Sequence, residues 1–268
     1  VLGSDQPELA RLDRQAASIE APTRLFLGAA GITPGQRVLD LGTGLGHVAR
    51  LAGELVGPTG SVVGLDRAAP ALSVARQRIE AAAERHVSFV EGDVDRWQAD
   101  EPFDAVVGRL VLFHLADPVA AVRHHLQHLV AGGQFIAIDF DIAGMRAEPP
   151  VDLVRQGGEW VMQAFRAAGA SPTIGARLRP ILEQAGLEQV TSFGLQDYLQ
   201  PSDPAGAALL AGVVRSLADA ITRYGIATPE QLGVETLEQR LADALRKEGA
   251  VLLPPTVVGA WGRRPIGK

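Results

Sequence analysis

The chain has no cysteine among its 268 residues, which excludes a disulfide scaffold, a thiolate metal site and a cysteine nucleophile. There is also no excess of positive charge: 25 lysine and arginine residues stand against 31 acidic ones, a formal net charge of −6, so composition does not indicate a nucleic-acid-binding surface. No uninterrupted apolar run approaches the ~20 residues of a membrane span, and no signal-peptide pattern opens the sequence. We therefore predict a cytoplasmic protein that contacts neither nucleic acid nor membrane.

The most informative feature is a glycine-rich turn that follows the apolar run Arg37–Leu41 and precedes a helical pattern. It reads Asp40-Leu41-Gly42-Thr43-Gly44-Leu45-Gly46. Glycines let the backbone approach a ligand closely, and a helix start offers unpaired N–H groups. A dinucleotide site requires G-x-G-x-x-G, but the third glycine position is His47 here. Asp40 would repel a pyrophosphate and suits a cation. The turn therefore favours S-adenosylmethionine, a sulfonium, over a nicotinamide cofactor.

At these residues the chain resembles the class I S-adenosylmethionine-dependent methyltransferases, whose first motif reads acid-x-Gly-x-Gly-x-Gly. Four further strand-end motifs follow in the order of that family: Ser61–Asp66, Val87–Val94, Phe103–Arg109 and Leu129–Asp139, the last beginning with a Gly132-Gly133 turn. The resemblance runs motif by motif over roughly residues 34–140, and more loosely over roughly 8–200.

The resemblance also implies how the cofactor is held. Asp66 would accept hydrogen bonds from both ribose hydroxyls, and Asp93 would read the adenine amino group. Apart from the resemblance, Arg109 ends a largely apolar run, where an unpaired charge would be costly, so we expect it to hold the methionine carboxylate or to pair with a nearby acid. The expected cofactor-binding set is Asp40, Gly42, Thr43, Gly44, Gly46, Asp66, Arg67, Gly92, Asp93, Val94 and Arg109.

Strands alternate with helical patterns, which predicts a parallel sheet with its ligand loops at the carboxyl ends. The expected fold is α/β: a Rossmann-like, seven-stranded, mostly parallel sheet with an antiparallel last strand and helices on both faces. An N-terminal helical lid and helical substrate-cap insertions complete it. The predicted divisions are the lid at 1–33, the S-adenosylmethionine-binding core at 34–140, a cap insertion at 141–175, the core continuation at 176–200, a second helical cap at 201–250, and the last core strand with the C-terminus at 251–268. Residues 141–170 are predicted to lack a strand, and Val251–Arg263 to form the seventh.

Methyl transfer needs a general base only where the acceptor must lose a proton. His114, just after the fourth strand, is the best candidate; its alternative role is packing beside the methionine moiety. Asp139 and Asp141 alternate at the end of the fifth strand, so they share a face and could orient an acceptor hydroxyl or amine. The alternative for both is a solvated or arginine-paired acid. Related enzymes often carry Glu where Asp139 stands, and the shorter side chain weakens an orienting role.

Aromatic and histidine side chains outside these motifs carry weaker predictions. Trp160, Phe165 and Tyr198 could line an apolar acceptor pocket, together with His114, or form a helix core. His124 and His128 have the i,i+4 spacing that can bind a metal. With no third ligand apparent, we predict a surface cluster of His124, His125 and His128, and no metal site.

The sequence predicts S-adenosylmethionine-dependent methyl transfer to a small, hydrophobic metabolite such as an apolar natural product, with S-adenosylhomocysteine as product. Oxygen is the first choice of acceptor atom, with carbon and nitrogen behind it; a homodimer is kept open. Two alternatives stay open: a non-methylating cyclisation or rearrangement with bound S-adenosylmethionine, and a non-catalytic cofactor-binding module. A nicotinamide oxidoreductase ranks fourth.

Overall fold

The computed structural model describes Asp13 and residues 16–267. This part of the chain divides into two compact units. The first comprises the residues up to Asp139, Arg177–Phe193 and the residues from Val258 onward, and the second comprises Phe140–Ala176 and Gly194–Val257. Of the predicted lid at 1–33, residues 1–12, 14 and 15 lie outside the described residues.

A seven-stranded sheet with the strand order β3-β2-β1-β4-β5-β9-β7 forms the centre of the fold. Its strands are β1 Arg37–Leu41, β2 Ser61–Asp66, β3 Val87–Glu91, β4 Phe103–Arg109, β5 Leu129–Asp141, β7 Glu188–Leu195 and β9 Thr256–Arg263. Strands β1 to β5 pair in parallel, and β9 is antiparallel. Side chains alternate between the two faces of a sheet, and successive residues of β4 and β5 are buried, so both faces are covered. This confirms the predicted Rossmann-like architecture.

Helices follow the strands of the first unit in the predicted alternation. They are α1 Glu20–Ala30, α2 His47–Val56, α3 Ala69–Ala81, α4 Pro118–Leu126 and α6 Leu178–Ala185. A short 3-10 turn, Leu112–His114, follows β4. Asp117 caps α4 by accepting a hydrogen bond from the Ala120 N–H, and Pro118 occupies the first helical position, where its missing N–H costs nothing. The alternation places the loops after β1, β2, β4 and β5 at one edge of the sheet.

The second unit is mainly helical. It contains α5 Asp152–Ala167, α7 Pro204–Arg223, α8 Pro229–Leu232, α9 Val234–Glu248 and a two-stranded antiparallel sheet of β6 Arg146–Glu148 with β8 Val251–Leu253. Helix α7 packs against α5 and α9. Among the described residues it alone is long and apolar enough to cross a membrane, by length and composition only. A core helix of a soluble protein meets the same criteria, so this observation does not assign a membrane span.

The structure corrects four details of the predicted fold. Pro254 and Pro255 divide the expected strand Val251–Arg263 into β8 and β9, because proline has no N–H to donate. The segment 141–170, predicted to lack a strand, contains β6. Gly132 and Gly133 lie inside β5, where the pairing with β4 shifts register, and do not form a turn before it. The third strand ends at Glu91 and leaves the Gly92–Val94 segment in a loop.

The predicted surface cluster of histidines is also wrong. Helix α4 ends at Leu126, and the chain then turns so that His128 lies against the ring of His125. Both side chains are buried, with 4% and 0% of their surface exposed, and His124 is half-buried.

Candidate cofactor and active site

The three glycines of the turn after β1 all adopt left-handed backbone conformations, but their surroundings differ. A Cβ on Gly42 would lie 2.9 Å from Val111 Cγ2, and a Cβ on Gly46 would lie 2.7 Å from Phe89 Cζ. At Gly44, where φ is +53°, no atom of the described residues lies within 4 Å of that position. Gly42 and Gly46 are therefore required by internal packing. At Gly44 there is open space above the turn, in which a ligand can approach the backbone closely; we call this space the cradle.

Asp40 lies beneath this turn. Its side chain is 1% exposed, and its Oδ2 accepts a 2.6 Å hydrogen bond from Thr43 Oγ1. Burial raises the pKa of Asp40 to about 7, although the Thr43 hydrogen bond and the positive charge of Arg109 act in the opposite direction. The hydrogen bond between Asp40 and Thr43 therefore holds the turn from inside, and the predicted contact of both residues with a cofactor stays a prediction. Asp40 can act on a ligand through its charge.

Asp66, at the end of β2, lies directly beside the cradle. Its Oδ2 accepts a 2.8 Å hydrogen bond from the Gly44 N–H, and its Oδ1 accepts a 2.9 Å bond from the Ala68 N–H. An ionised carboxylate has about four lone-pair positions, so these two bonds leave acceptor capacity for further donors. The side chain is half-buried, and the neighbouring Arg67 is exposed. Asp66 is therefore placed to bind hydroxyl groups of a ligand at Gly44.

The loop after β3 carries Gly92, Asp93 and Val94 to the same edge of the sheet. The Gly92 N–H donates to the Asp66 carbonyl oxygen at 3.0 Å. A Cβ on Gly92 would lie 2.8 Å from Trp97 Cδ1, so the indole packs closely on this loop. Asp93 is exposed, and its Oδ1 accepts a 2.9 Å bond from the Asp95 N–H. The loop is thus anchored to the end of β2, with the Asp93 carboxylate at its surface.

Arg109 ends β4 at this edge and is largely buried. Its Nη1 donates to Thr23 Oγ1 of α1 at 3.2 Å. Burial lowers the pKa of Arg109, and the negative charges of Asp40 and Glu20 counteract the shift. Among the described residues, no carboxylate lies within 4.0 Å of the guanidinium nitrogens. A largely buried cation without an ion pair is costly, so Arg109 is suited to the carboxylate of a ligand.

Leu110, which follows Arg109, was missed by the sequence analysis. It adopts φ +57°, a conformation that is rare for residues other than glycine, and its N–H donates to the Ile138 carbonyl oxygen at 2.8 Å. The resulting turn brings Val111 against Gly42 and Gly108. No sequence signal identifies a leucine in this conformation.

His114 and Asp139 meet at the turn that follows β4. His114 ends the 3-10 turn, and its side chain is exposed. Partial desolvation of its ring, together with the positive charge of Arg67, lowers its pKa, so the imidazole is neutral near pH 7. Asp139 is completely buried, and its Oδ2 accepts a 3.2 Å bond from the Phe113 N–H. His114 is therefore accessible to an acceptor, whereas Asp139 positions the turn that carries it. The predicted contact of Asp139 with an acceptor stays a prediction.

Comparison with known proteins identifies the family to which this site belongs. A family model described as a methyltransferase domain matches residues 32–186, which is more than half of the chain. The chain belongs to the S-adenosylmethionine-dependent methyltransferases. A ubiquinone/menaquinone biosynthesis C-methyltransferase UbiE of Pseudomonas aeruginosa is 34% identical over 119 residues, which cover 44% of this chain and 46% of that protein. The methyltransferase thus spans about half the length of the curated relatives it matches.

Solved structures share the fold at low sequence identity. Phosphoethanolamine N-methyltransferase 2 of Haemonchus contortus, in complex with S-adenosylhomocysteine, is 16% identical; the match covers 91% of this chain and 52% of that one, with a TM-score of 0.57. The [4+2]-cyclase SpnF is 17% identical, with 92% and 82% coverage and a TM-score of 0.52. At these identities the likeness shows the fold alone.

The cofactor of the family is S-adenosylmethionine, and the residues of this methyltransferase fit it. The open space at Gly44 accommodates a ligand that approaches the backbone closely. Asp66 offers acceptors for ribose hydroxyls, and Arg109 offers a cation for the methionine carboxylate. Asp40, when ionised, would add a negative charge beneath the turn, which suits the cationic sulfonium and ammonium groups of this cofactor better than a pyrophosphate.

The candidate acceptor residues of the second unit do not converge. The Asp141 carboxylate caps the 3-10 turn Ile142–Gly144, accepting from the Ala143 N–H at 3.3 Å. Trp160 is buried in α5, Phe165 is half-buried, and Tyr198 is 65% exposed. A cavity of about 450 Å³ opens in this unit beside Met162, and none of these three aromatic residues is among those that line it. The structure therefore favours packing for Trp160 and a capping role for Asp141.

The N-terminal segment is tied to the helices that follow the glycine turn. The Asp13 carboxylate pairs with His47 Nε2 at 2.8 Å and with Arg78 Nη2 at 2.9 Å. His47 is the first residue of α2, and burial lowers its pKa. Arg78 lies in α3. Together with the bond between Thr23 and Arg109, these contacts hold the described part of the predicted lid against the cofactor-binding unit.

Proposed function

We propose that this methyltransferase transfers the methyl group of S-adenosylmethionine to a small, apolar acceptor with an ionisable hydroxyl group, with oxygen as the accepting atom. One observation carries the proposal. An accessible, neutral imidazole, His114, follows the same strand that supplies Arg109, at the sheet edge where the glycine turn lies.

Each residue of the site has a defined task in this proposal. The bound cofactor supplies a methyl group activated by its sulfonium leaving group. Asp66 would hold the ribose of the cofactor and Arg109 its methionine carboxylate, and together they would fix the orientation of the cofactor toward the acceptor. His114 takes the proton from the acceptor hydroxyl as the new oxygen–carbon bond forms. Asp139 keeps His114 in place through the Phe113 N–H.

The accepting atom depends on the chemistry of the acceptor. The relative from Pseudomonas aeruginosa is named as a C-methyltransferase of quinone biosynthesis. A phenol that loses its proton gains electron density on its oxygen and on the neighbouring ring carbons, so one base can serve both outcomes. C-methylation of a phenolic or hydroquinone acceptor is therefore the competing product.

The test is a turnover assay of the full chain with S-adenosylmethionine and a panel of phenols and hydroquinones, with and without alkyl chains. S-adenosylhomocysteine is measured by mass spectrometry, and NMR locates the new methyl group. We expect His114→Gln to lower kcat/KM at least about 100-fold, which is typical of losing a general base, with unchanged cofactor affinity. His86→Gln removes a half-buried imidazole outside the site and is the matched control.

The alternatives give different results in the same assay. Conversion of an acceptor without S-adenosylhomocysteine would indicate a cyclisation or rearrangement on this scaffold. Cofactor binding with no turnover of any acceptor would indicate a binding module. Equal activity of His114→Gln and the wild type would contradict the assigned base.

A further inference from the structure

Three histidines outside the cofactor site form a compact cluster. His124 and His125 lie in the last turn of α4, and His128 lies between α4 and β5. Their ring centroids are 4.9, 5.1 and 5.2 Å apart, and the rings stand roughly edge-on to one another. One nitrogen atom of each ring lies within 4.8 Å of one nitrogen atom of each other ring. The three rings are therefore close enough together for one nitrogen atom of each to bind the same ligand.

Each ring directs its Nε2 outward to a carbonyl oxygen. The His124 Nε2 lies 2.9 Å from the Trp97 carbonyl oxygen, and the His125 Nε2 lies 2.8 Å from that of Val94. The His128 Nε2 lies 3.1 Å from Oε1 of Gln98. Backbone carbonyl oxygens only accept, so the Nε2 atoms of His124 and His125 carry the hydrogen. The assigned Gln98 Oε1 contact gives His128 the same tautomer, and a neutral ring then keeps a lone pair on Nδ1.

The lone pairs of the two buried rings face each other. His125 Nδ1 and His128 Nδ1 are 3.1 Å apart, and both are acceptors once their Nε2 atoms donate. Two buried acceptors in contact without a hydrogen between them are unfavourable. A cation between them removes the repulsion.

We propose that His124, His125 and His128 bind a late first-row divalent cation, with Zn²⁺ as the reference ion, through their Nδ1 atoms. Nitrogen ligands about 2.05 Å from a tetrahedral zinc ion are about 3.3 Å apart, and the centroids of their rings are about 5 Å apart. Both values agree with the observed 3.1 Å contact and with the centroid distances. Three imidazoles select such ions over Mg²⁺ and Ca²⁺, which require oxygen ligands.

The outer contacts of the cluster also match a metal site. Metal-binding histidines usually donate their second ring N–H to a carbonyl or carboxylate oxygen, which fixes the tautomer. All three histidines make that contact here. The His124 Nδ1 accepts only a 3.3 Å bond from the exposed Gln127 side chain among its described contacts, and an ion would displace it. The sequence alone does not indicate this cluster, because only the turn after Leu126 brings His128 against His125.

The proposed ion would also fix the loop that follows Asp93. Val94, Trp97 and Gln98 all belong to this loop, and each supplies the oxygen that orients one histidine. The Trp97 ring also stands edge-on to His128, with centroids 5.7 Å apart. An ion held by the three rings would therefore hold residues 94–98 against α4. The loop would lose freedom on metal binding, and the folded state would gain stability.

The test is titration of the tag-free, chelator-stripped full chain with Zn²⁺ by calorimetry, and with Co²⁺ by visible absorption. We expect one equivalent to bind per chain, no binding of Mg²⁺, and a Zn²⁺-dependent rise in Tm. His124→Gln removes a half-buried ligand and should lower the Zn²⁺ affinity at least about tenfold. Gln98→Ala removes the exposed outer contact of His128, together with a 3.3 Å bond from Gln127, and should weaken binding about 10- to 100-fold.

His86→Gln is the matched control, because His86 also contacts a backbone carbonyl oxygen, that of Gly53 at 3.0 Å, but lies outside the cluster. Circular dichroism and the urea midpoint of the metal-free variants show whether each is folded. Absence of Zn²⁺ binding by the wild type would overturn the proposal. So would a His124→Gln variant with wild-type affinity, or a loss of affinity in His86→Gln as large as that in His124→Gln. None of these measurements depends on methyltransferase activity.

Discussion

Alanine should have different main effects at two glycines of the same turn: Gly46→Ala should mainly destabilise the fold, and Gly44→Ala should mainly weaken cofactor binding. Both Gly44 and Gly46 have positive φ, which costs alanine about 1–2 kcal/mol. At Gly46 the added methyl group would also lie 2.7 Å from Phe89 Cζ, and overpacking adds about 1–3 kcal/mol. Gly46→Ala should therefore lower the free energy of unfolding by about 2–5 kcal/mol, and Gly44→Ala by only about 1–2 kcal/mol.

The affinity for the cofactor should depend more on Gly44 than on Gly46. The methyl group of Gly44→Ala occupies the open space above the turn, so we expect S-adenosylmethionine affinity to fall at least about tenfold in a protein that remains folded. Gly225→Ala introduces alanine at φ +68°, also with no described atom within 4 Å, in the other compact unit. This control should show a similar loss of stability with unchanged affinity.

Urea unfolding and calorimetry with S-adenosylmethionine measure the two effects separately. A Gly44→Ala variant that binds the cofactor as tightly as the wild type would refute the assignment of the cradle. A Gly46→Ala variant no less stable than Gly44→Ala would refute the packing argument.

Three further predictions concern charged and titratable groups of the site. The folded-state pKa of Asp40 is raised to about 7, so its ionisation destabilises the fold as pH rises. Relative to Asp40→Asn, the wild type should lose about 2 kcal/mol of unfolding free energy between about pH 5.5 and pH 7.5. A difference between the two proteins that stays constant with pH in urea titrations would contradict this. The pKa of His114 is lowered, so kcat/KM should rise with pH with a midpoint below the ordinary histidine value of about 6.5. His114→Gln should lack this rise. Arg109→Gln should weaken S-adenosylmethionine binding by about 2 kcal/mol but leave 5′-methylthioadenosine binding unchanged, because that compound has no carboxylate. Equal losses for both ligands would show that Arg109 does not bind the carboxylate.

The sheet and its cofactor edge could be predicted because local sequence signals determine them. Apolar runs that end in an acid or a glycine mark the carboxyl ends of β1, β2 and β4, and alternation with helices specifies parallel pairing. The turn Gly42–Gly46 is likewise specified by residues that must tolerate positive φ. The break at Pro254-Pro255 was visible in the sequence, but the apolar pattern on both sides of it suggested one strand.

Features that depend on distant contacts could not be predicted. The conformation of Leu110 is imposed by its position between β4 and β5, and the residue type gives no indication of it. Asp40 and Asp139 looked like ligand-facing acids, because strand position does not reveal that their side chains would be fully covered. Tyr198 is exposed, although its aromatic character suggested a pocket. The histidine cluster required knowledge of where α4 ends.

The central claim is that the glycine turn and Asp66 bind S-adenosylmethionine, and calorimetric titration of the full chain tests it most directly. Wild type should bind S-adenosylmethionine and S-adenosylhomocysteine in the micromolar range, about −8 kcal/mol, and Asp66→Ala should weaken both at least about tenfold. Asp100→Ala, which removes an exposed carboxylate outside the site, should bind as the wild type does. Failure of the folded wild-type chain to bind either ligand, or equal affinities of Asp66→Ala and the wild type, would contradict the account.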